Sequence, residues 1–310
     1  PPNPGRPAGD GGHRRAGGSV RMIRLSPTAV LKYETCPYQY LLEEVLRIRP
    51  AHRAANLVFG TVLHRTVEDW LRGDLTGAAP DPVAVFDRDW AAARNAGGVE
   101  YSATQSPESL TATGRALIKG FATAWPTFQR LLAVGTDGTP LLELKLEVQL
   151  GPRLVYVGRT DLLTFNRDGE LECLDLKTPS TPTDLGWLAN ADQLTGYQLL
   201  LDAHAERWGL PPVERLGLLE LVKRKVPTRT GKGPEVLAPI TVSRHSTAEV
   251  ADYAQKVRWV AEDIERGRFP KRGLMAHNTP CELCAVRGLC RTGDPEGLIV
   301  PPKTALASVA

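Results

Sequence analysis

The sequence predicts an α/β (α+β) fold, a mixed β-sheet flanked by helices with a helical lobe inserted before the sheet. Two observations carry this expectation. Apolar residues recur with helical spacing in the early part of the chain. Near Leu141 the period changes to strict alternation, with Leu142, Leu144, Leu146, Val148 and Leu150 set between polar residues. From there strands and helices succeed one another to about Glu265, the order expected of layers packed around one sheet.

Taken in order, the elements follow from local chemistry. Residues 1–24 are rich in Gly, Pro and Arg with almost nothing apolar, which predicts a disordered basic tail or linker. Order is expected from Leu25. Ser26-Pro27 supplies an N-cap and a first-turn proline for a helix over Thr28–Arg47. Further helices are predicted over Val58–Leu71, Pro82–Arg94 and Pro107–Ala133, the last open to a break at Pro126. After the alternating strand come strands Leu154–Phe165 and Leu171–Lys177, joined by Asn166-Arg167-Asp168-Gly169, whose Asp-Gly marks a hairpin. A helix over Leu188–Trp208, strands near Leu216–Lys223 and Val236–Val242, and a helix over Thr247–Glu265 complete the core. Residues 294–310 read as a loose tail, so the ordered domain is expected to span 25–293.

The chain has 310 residues, 42% of them hydrophobic and 24% charged, as in soluble globular proteins. No apolar run approaches the roughly 18–20 residues of a membrane span. Nor is there the apolar stretch of a secretory signal, and a cytoplasmic location is expected. The chain opens on Pro rather than Met, which suggests a fragment or processed product. Its net charge of +3 is concentrated at one end: Arg6, Arg14, Arg15, Arg21 and Arg24 against Asp10 give residues 1–24 a balance of +4. The remainder is close to neutral, so nucleic-acid contacts would have to come from local patches such as Lys223-Arg224-Lys225 with Arg229 and Lys232.

The chemistry is concentrated in one hairpin. Residues i and i+2 of a strand share a face, so Asp175 and Lys177 project together while Leu174 and Leu176 face the other way. Asp161, in Gly158-Arg159-Thr160-Asp161, is expected beside Asp175 on the paired strand. Two carboxylates suit Mg²⁺ or Mn²⁺, which prefer oxygen ligands, and a nearby ammonium can orient an attacking water or stabilise developing negative charge. Glu147, on the strand before, is expected to be an outward-facing charge outside the site. Thr230-Gly231-Lys232-Gly233 lacks the spacing and hydroxyl residue of a phosphate loop, so the chain carries no ATPase signature.

On these residues the chain resembles the PD-(D/E)XK nuclease superfamily, in particular its RecB-like exonuclease branch with iron–sulfur members. Four motifs appear in the family's order: His64 in Phe59-Gly60-Thr61-Val62-Leu63-His64, Asp161, Asp175-Leu176-Lys177, and Gln193-Leu194-Thr195-Gly196-Tyr197. The resemblance runs from about Leu25 to Cys290. It implies a restriction-endonuclease-like sheet in which Asp161, Asp175, the backbone carbonyl of Leu176 and His64 bind Mg²⁺ or Mn²⁺. Lys177 would position the hydrolytic water. Gln193 and Tyr197, one helical turn apart, would support the site or touch the DNA backbone.

Of five cysteines, Cys281, Cys284 and Cys290 form C-x₂-C-x₅-C, and Cys36 lies far upstream. Four thiolates suit either a [4Fe–4S] cluster or a tetrahedral zinc, and the spacing does not choose. The resemblance does: AddB-like and CRISPR-adaptation nucleases hold a [4Fe–4S] cluster with one Cys before the nuclease core and three after it. Such a cluster would be a structural staple joining the two ends of the domain. Cys173 fits no ligand pattern and reads as a core residue. The function implied is a metal-dependent nuclease acting on single-stranded DNA or DNA ends, in repair and recombination or in CRISPR and phage defence. A helicase or a CRISPR-integrase protein would be its partner. The rival reading is a non-catalytic DNA-end-binding module, which should have lost one of the key residues.

Overall fold

The computed structural model describes residues 22–273 and 279–302. Most of the expected basic tail and the last residues of the chain lie outside them. The first element is a strand, β1 (Ile23–Leu25), so order begins slightly before Leu25. Helix α1 (Pro27–Thr35) starts as its sequence dictates, the Ser26 hydroxyl accepting from the Ala29 N–H at 3.2 Å. The single helix expected to Arg47 is broken. Cys36 is extended, and Pro37, lacking an N–H, opens a new helix α2 (Pro37–Tyr40) that runs into a π-turn at Leu41–Val45.

Short strands β2 (Arg49–Pro50) and β3 (Arg53–Ala54) lead to α3 (Ala55–Leu75), α4 (Pro82–Asn95), β4 (Val99–Glu100) and α5 (Pro107–Ala124). Here Pro126 ends the regular helix and the chain tightens into a 3₁₀ turn before β5 (Leu131–Leu132). Next come β6 (Leu142–Gly151), β7 (Leu154–Phe165) and β8 (Leu171–Lys177). The helix expected over Leu188–Trp208 is three pieces, α6 (Leu185–Leu188), α7 (Asp192–Asp202) and α8 (Ala205–Trp208). Strands β9 (Arg215–Val222), β10 (Glu235–Val236) and β11 (Ile240–Ser243) precede α9 (Thr247–Glu265), whose start is a Ser246–Glu249 capping box. Finally α10 (Arg287–Thr292) leads to β12 (Leu298–Ile299), which pairs with β2. That part of the expected loose tail is therefore pinned to the domain.

The main sheet has eight strands. Strand β7 is its pivot, with β6 antiparallel along one edge. On the other edge β1 pairs in parallel at residues 154–156, and β8 pairs antiparallel at residues 162–165. Residues 157–161 lie between these two ladders, so the sheet is open on that edge where Asp161 sits. Strand β9 continues the sheet in parallel with β8.

Helices cover both faces, giving three layers. One core packs α1, α7 and α9 on the sheet around Tyr33, Tyr156, Tyr197, Leu200 and Val257. The opposite core packs α3, α4 and α5 around Phe59, Phe86, Trp90 and Phe121. Helix α7 lies close on β7 because two glycines make room. A Cβ at Gly196 would stand 2.1 Å from the Tyr156 hydroxyl, and one at Gly158 would stand 2.4 Å from Leu200. Forcing a methyl into such a contact costs about 1–3 kcal/mol. This close approach sets the height at which α7 presents Gln193 and Tyr197 to the sheet.

Candidate active site

Four elements meet at the open edge of β7. Strand β8 places Leu174 and Leu176 in the core beneath α3–α5, while Cys173 belongs to the core beneath α7. The pleat therefore turns Asp175 toward α7, where it is 2% exposed. There the Tyr197 hydroxyl donates to Asp175 Oδ1 at 2.9 Å and Gln193 Nε2 donates to the same oxygen at 3.1 Å. Gln193 Nε2 also donates to the Tyr197 hydroxyl at 2.6 Å, so the i, i+4 pair on α7 acts as one clamp. Lys177 Nζ stands 2.5 Å from Asp175 Oδ2 and donates to Gln193 Oε1 at 3.4 Å. The Lys177 contact with Oδ2 is an ion pair by distance without hydrogen-bond alignment. This buried oxygen thus has no hydrogen-bond partner among the described residues.

Asp161 closes the gap in the ladder. The Leu176 N–H, with no β7 carbonyl opposite it, donates to Asp161 Oδ2 at 2.7 Å. His64, from the middle of α3, has Nδ1 3.7 Å from the same oxygen. The Leu176 backbone acts on the ring in the sense that favours its protonation.

Glu143 completes the group. Atoms of His64, Glu143 and Asp161 lie within 4.8 Å of one another. The alternation read from the sequence does not single out Glu143, and the reason is local. Glu143 has φ +54°, a left-handed conformation rare for a residue with a Cβ. The strand changes face there: Leu144, Leu146 and Val148 pack on the α7 side, whereas Leu142 joins the core beneath α3. Glu143 is left beside Asp161, paired with Arg159. Glu147, by contrast, pairs with Arg24 on the surface at 2.6 Å, outside the site as expected.

The electrostatics record an excess of negative charge. Burial, and then the charge of Asp175, push the Asp161 carboxyl up to about 7. Burial and the neighbouring Asp161 likewise raise Glu143. Burial lowers His64 despite the acids around it, which keeps the imidazole neutral and able to donate a lone pair. His64, Glu143 and Asp161, two carboxylates and a neutral histidine, are a donor set that suits a hard divalent cation, and Asp175 stands outside this 4.8 Å group with its second oxygen against Lys177. Above them opens a cleft of about 780 Å³, walled by α3 from Asn56 to Asp69 and by Glu143, Arg159, Asp161, Thr178 and Lys223.

The cysteines form a separate place. Cys173 is fully buried in the core, as its sequence context predicts. Cys36, Cys281, Cys284 and Cys290 all line one small cavity of about 20 Å³, together with Arg272, Arg287 and Arg291. They are free thiols, and among the described residues no three of them draw within the 4.8 Å that groups the acidic site. Cys281 is turned to Arg291, whose Nη2 donates to its sulfur at 3.5 Å and holds its thiol below the usual range. The tight four-thiolate grouping implied by the resemblance is therefore not formed by the side chains.

Among the described residues no helix is long and apolar enough to cross a membrane. No curated protein matches the sequence. The crystal structure of SSO0001 is similar at 15% identity over 82% of this chain and 95% of that chain, with a TM-score of 0.32, too low to carry an argument. A family model described as the PD-(D/E)XK nuclease superfamily matches residues 24–291, and these bounds enclose every residue of the site just described. The chain belongs to the PD-(D/E)XK nuclease superfamily, whose members are metal-dependent nucleases.

Proposed function

We propose that the protein is a Mg²⁺- or Mn²⁺-dependent deoxyribonuclease that degrades single-stranded DNA or DNA ends. The observation that carries this reading is the grouping of His64, Glu143 and Asp161 in a cleft at the open edge of the sheet, with the Asp175–Lys177 pair on the neighbouring strand. Asp161, Asp175, His64 and the Leu176 carbonyl would hold the metal, with Glu143 beside them. The bound ion would polarise a phosphoryl oxygen and lower the pKa of a coordinated water. Lys177 orients the attacking water and offsets negative charge developing at phosphorus. Gln193 and Tyr197 fix the Asp175 carboxylate, so that its second oxygen and the Lys177 ammonium stay together.

The substrate and setting follow the branch that the motifs resemble, with work in repair and recombination or in CRISPR and phage defence. A helicase or integrase partner would supply the unwound strand. We further propose that Cys36, Cys281, Cys284 and Cys290 hold a [4Fe–4S] cluster. Support comes from their shared cavity and from three arginines whose charge suits a thiolate-ligated anion. Anaerobically purified protein should show the broad visible absorption of such a cluster, and stoichiometric zinc in its place would overturn this part.

The nuclease reading is tested with Mn²⁺ on end-labelled linear and on circular single-stranded DNA. Linear DNA should be degraded and circular DNA spared. Undiminished cleavage by purified Lys177→Ala protein would sink the assignment.

A further inference from the structure

The cleft is not uniformly acidic, and its polarity follows α3. In the turn holding Gly60, the helix stands against Thr178: a Cβ on Gly60 would lie 3.2 Å from the Thr178 hydroxyl oxygen. One turn on, His64 faces Asp161. One further turn on, Glu68 is close enough for its charge to raise the Glu143 carboxyl. Acids thus fill one end of the cleft and donors the other.

Lys223 belongs to the donor end. It follows the last residue of β9, and its N–H donates to the Pro179 carbonyl at 2.8 Å, beside Thr178. Its side chain lines the cleft and is half-buried. The other two basic residues of the lining are neutralised, Arg65 by Asp89 at 3.3 Å and Arg159 by Glu143. Among the described residues Lys223 has no carboxylate at ion-pair distance. Burial alone acts on its ammonium and pushes it down, with no opposite charge to offset the lost hydration. A half-buried cation without a partner, in a cleft whose other cations are paired, is a site kept for an anion.

Building on the nuclease reading, we propose that Lys223 and the Thr178 hydroxyl bind a backbone phosphate of the nucleic-acid strand adjacent to the one held at the acidic end. The strand would run along α3. Gly60 and His64 are four residues apart, about 6 Å along the helix, a distance on the scale of one nucleotide step. Lys223 is therefore a substrate-positioning contact distinct from the metal-binding group, and its effect is on strand affinity.

The experiment measures binding without cleavage. Fluorescence anisotropy of a labelled oligodeoxythymidylate is followed against salt concentration in EDTA, for wild type, Lys223→Gln, Lys223→Arg and the control Lys119→Gln, an exposed position on α5. Loss of one phosphate contact should weaken binding several-fold. It should also flatten the dependence of log affinity on log salt by about 0.7, the single-strand value per phosphate. Lys223→Arg should restore the slope, and Lys119→Gln should leave it unchanged. If Lys223→Gln melts early, Lys223→Met, which keeps the buried stem, takes its place. A wild-type slope in the charge-removing variant overturns the phosphate site while leaving the nuclease reading standing. Absence of binding by the wild type overturns both.

Discussion

The acidic cleft and the cysteine cavity are built in opposite ways. The cleft is assembled from elements of the continuous core, and its side chains are already oriented: Asp175 by Tyr197 and Gln193, Asp161 by the Leu176 N–H. Its cost is electrostatic, seen in carboxyls raised by burial and by one another. The cavity joins the two ends of the described domain through a small apolar patch of Leu42, Leu46, Ile48 and Val286. Its thiols face one space without being drawn together. The comparison teaches that one site is pre-organised and strained by charge, whereas the other would be drawn together only by the proposed cluster.

The largest expected effect therefore belongs to the cavity. With a cluster bound, the tie between Cys36 and Cys281 closes a loop of most of the domain, and the chain-entropy model gives such a cross-link about 5 kcal/mol. Cys36→Ser should lose cluster iron and lower the Tm by about 10–20 °C in calorimetry. An unchanged Tm with full loss of iron would mean that the cavity is held without its contents. In the cleft the corresponding change acts on rate and leaves the fold alone. Lys177→Ala removes an ammonium whose side chain is 42% exposed, so the Tm should hold while Mn²⁺-dependent cleavage falls by roughly 10²–10⁴-fold.

How far these sites could be read from sequence follows the same division. Strands β7 and β8, which flank the Asp-Gly hairpin, and helix α9 have the bounds expected. His64, Asp161, Asp175, Lys177, Gln193 and Tyr197 were named on the motifs the chain resembles, and the structure sets them at neighbouring positions of α3, β7, β8 and α7. Glu143 was not, since period-two reasoning assumes an extended backbone and φ at that residue is +54°. Strand β1 was hidden for another reason: three residues carry no period, and their partner lies far along the chain in β7. The cysteine spacing showed which sulfurs could share a ligand but not how their side chains turn, which depends on local contacts such as that of Cys281 with Arg291.

Glu143 sharpens the comparison at intermediate size. Glu143→Gln removes one negative charge from the group while retaining its shape and its left-handed backbone. Mn²⁺ affinity, measured by calorimetry in the absence of DNA, should fall about tenfold, in the range expected for losing a charged partner near a metal. Unchanged affinity would place Glu143 outside the metal's reach and leave it as the counter-charge of Arg159.

The smallest effect tests whether the cleft is strained by its own charge. Asp161 in the folded, metal-free protein is pushed up to about 7 from an ordinary value near 3.8. Between these values the folded state binds more protons than the unfolded state, so this group's contribution to stability falls as pH rises through that window and is flat above it. Asp161→Asn keeps an oxygen able to accept from the Leu176 N–H but cannot ionise. In EDTA at pH 8 the variant should be more stable than wild type by about 1 kcal/mol, a modest value because water and the nearby cations relieve part of the repulsion. At pH 4 the two should converge. Added Mn²⁺ should reverse the order, because the cation rewards the charge that burial penalises. A variant less stable than wild type at pH 8 without metal would show that the hydrogen bond to Leu176 outweighs the repulsion, and that the cleft is not strained by charge.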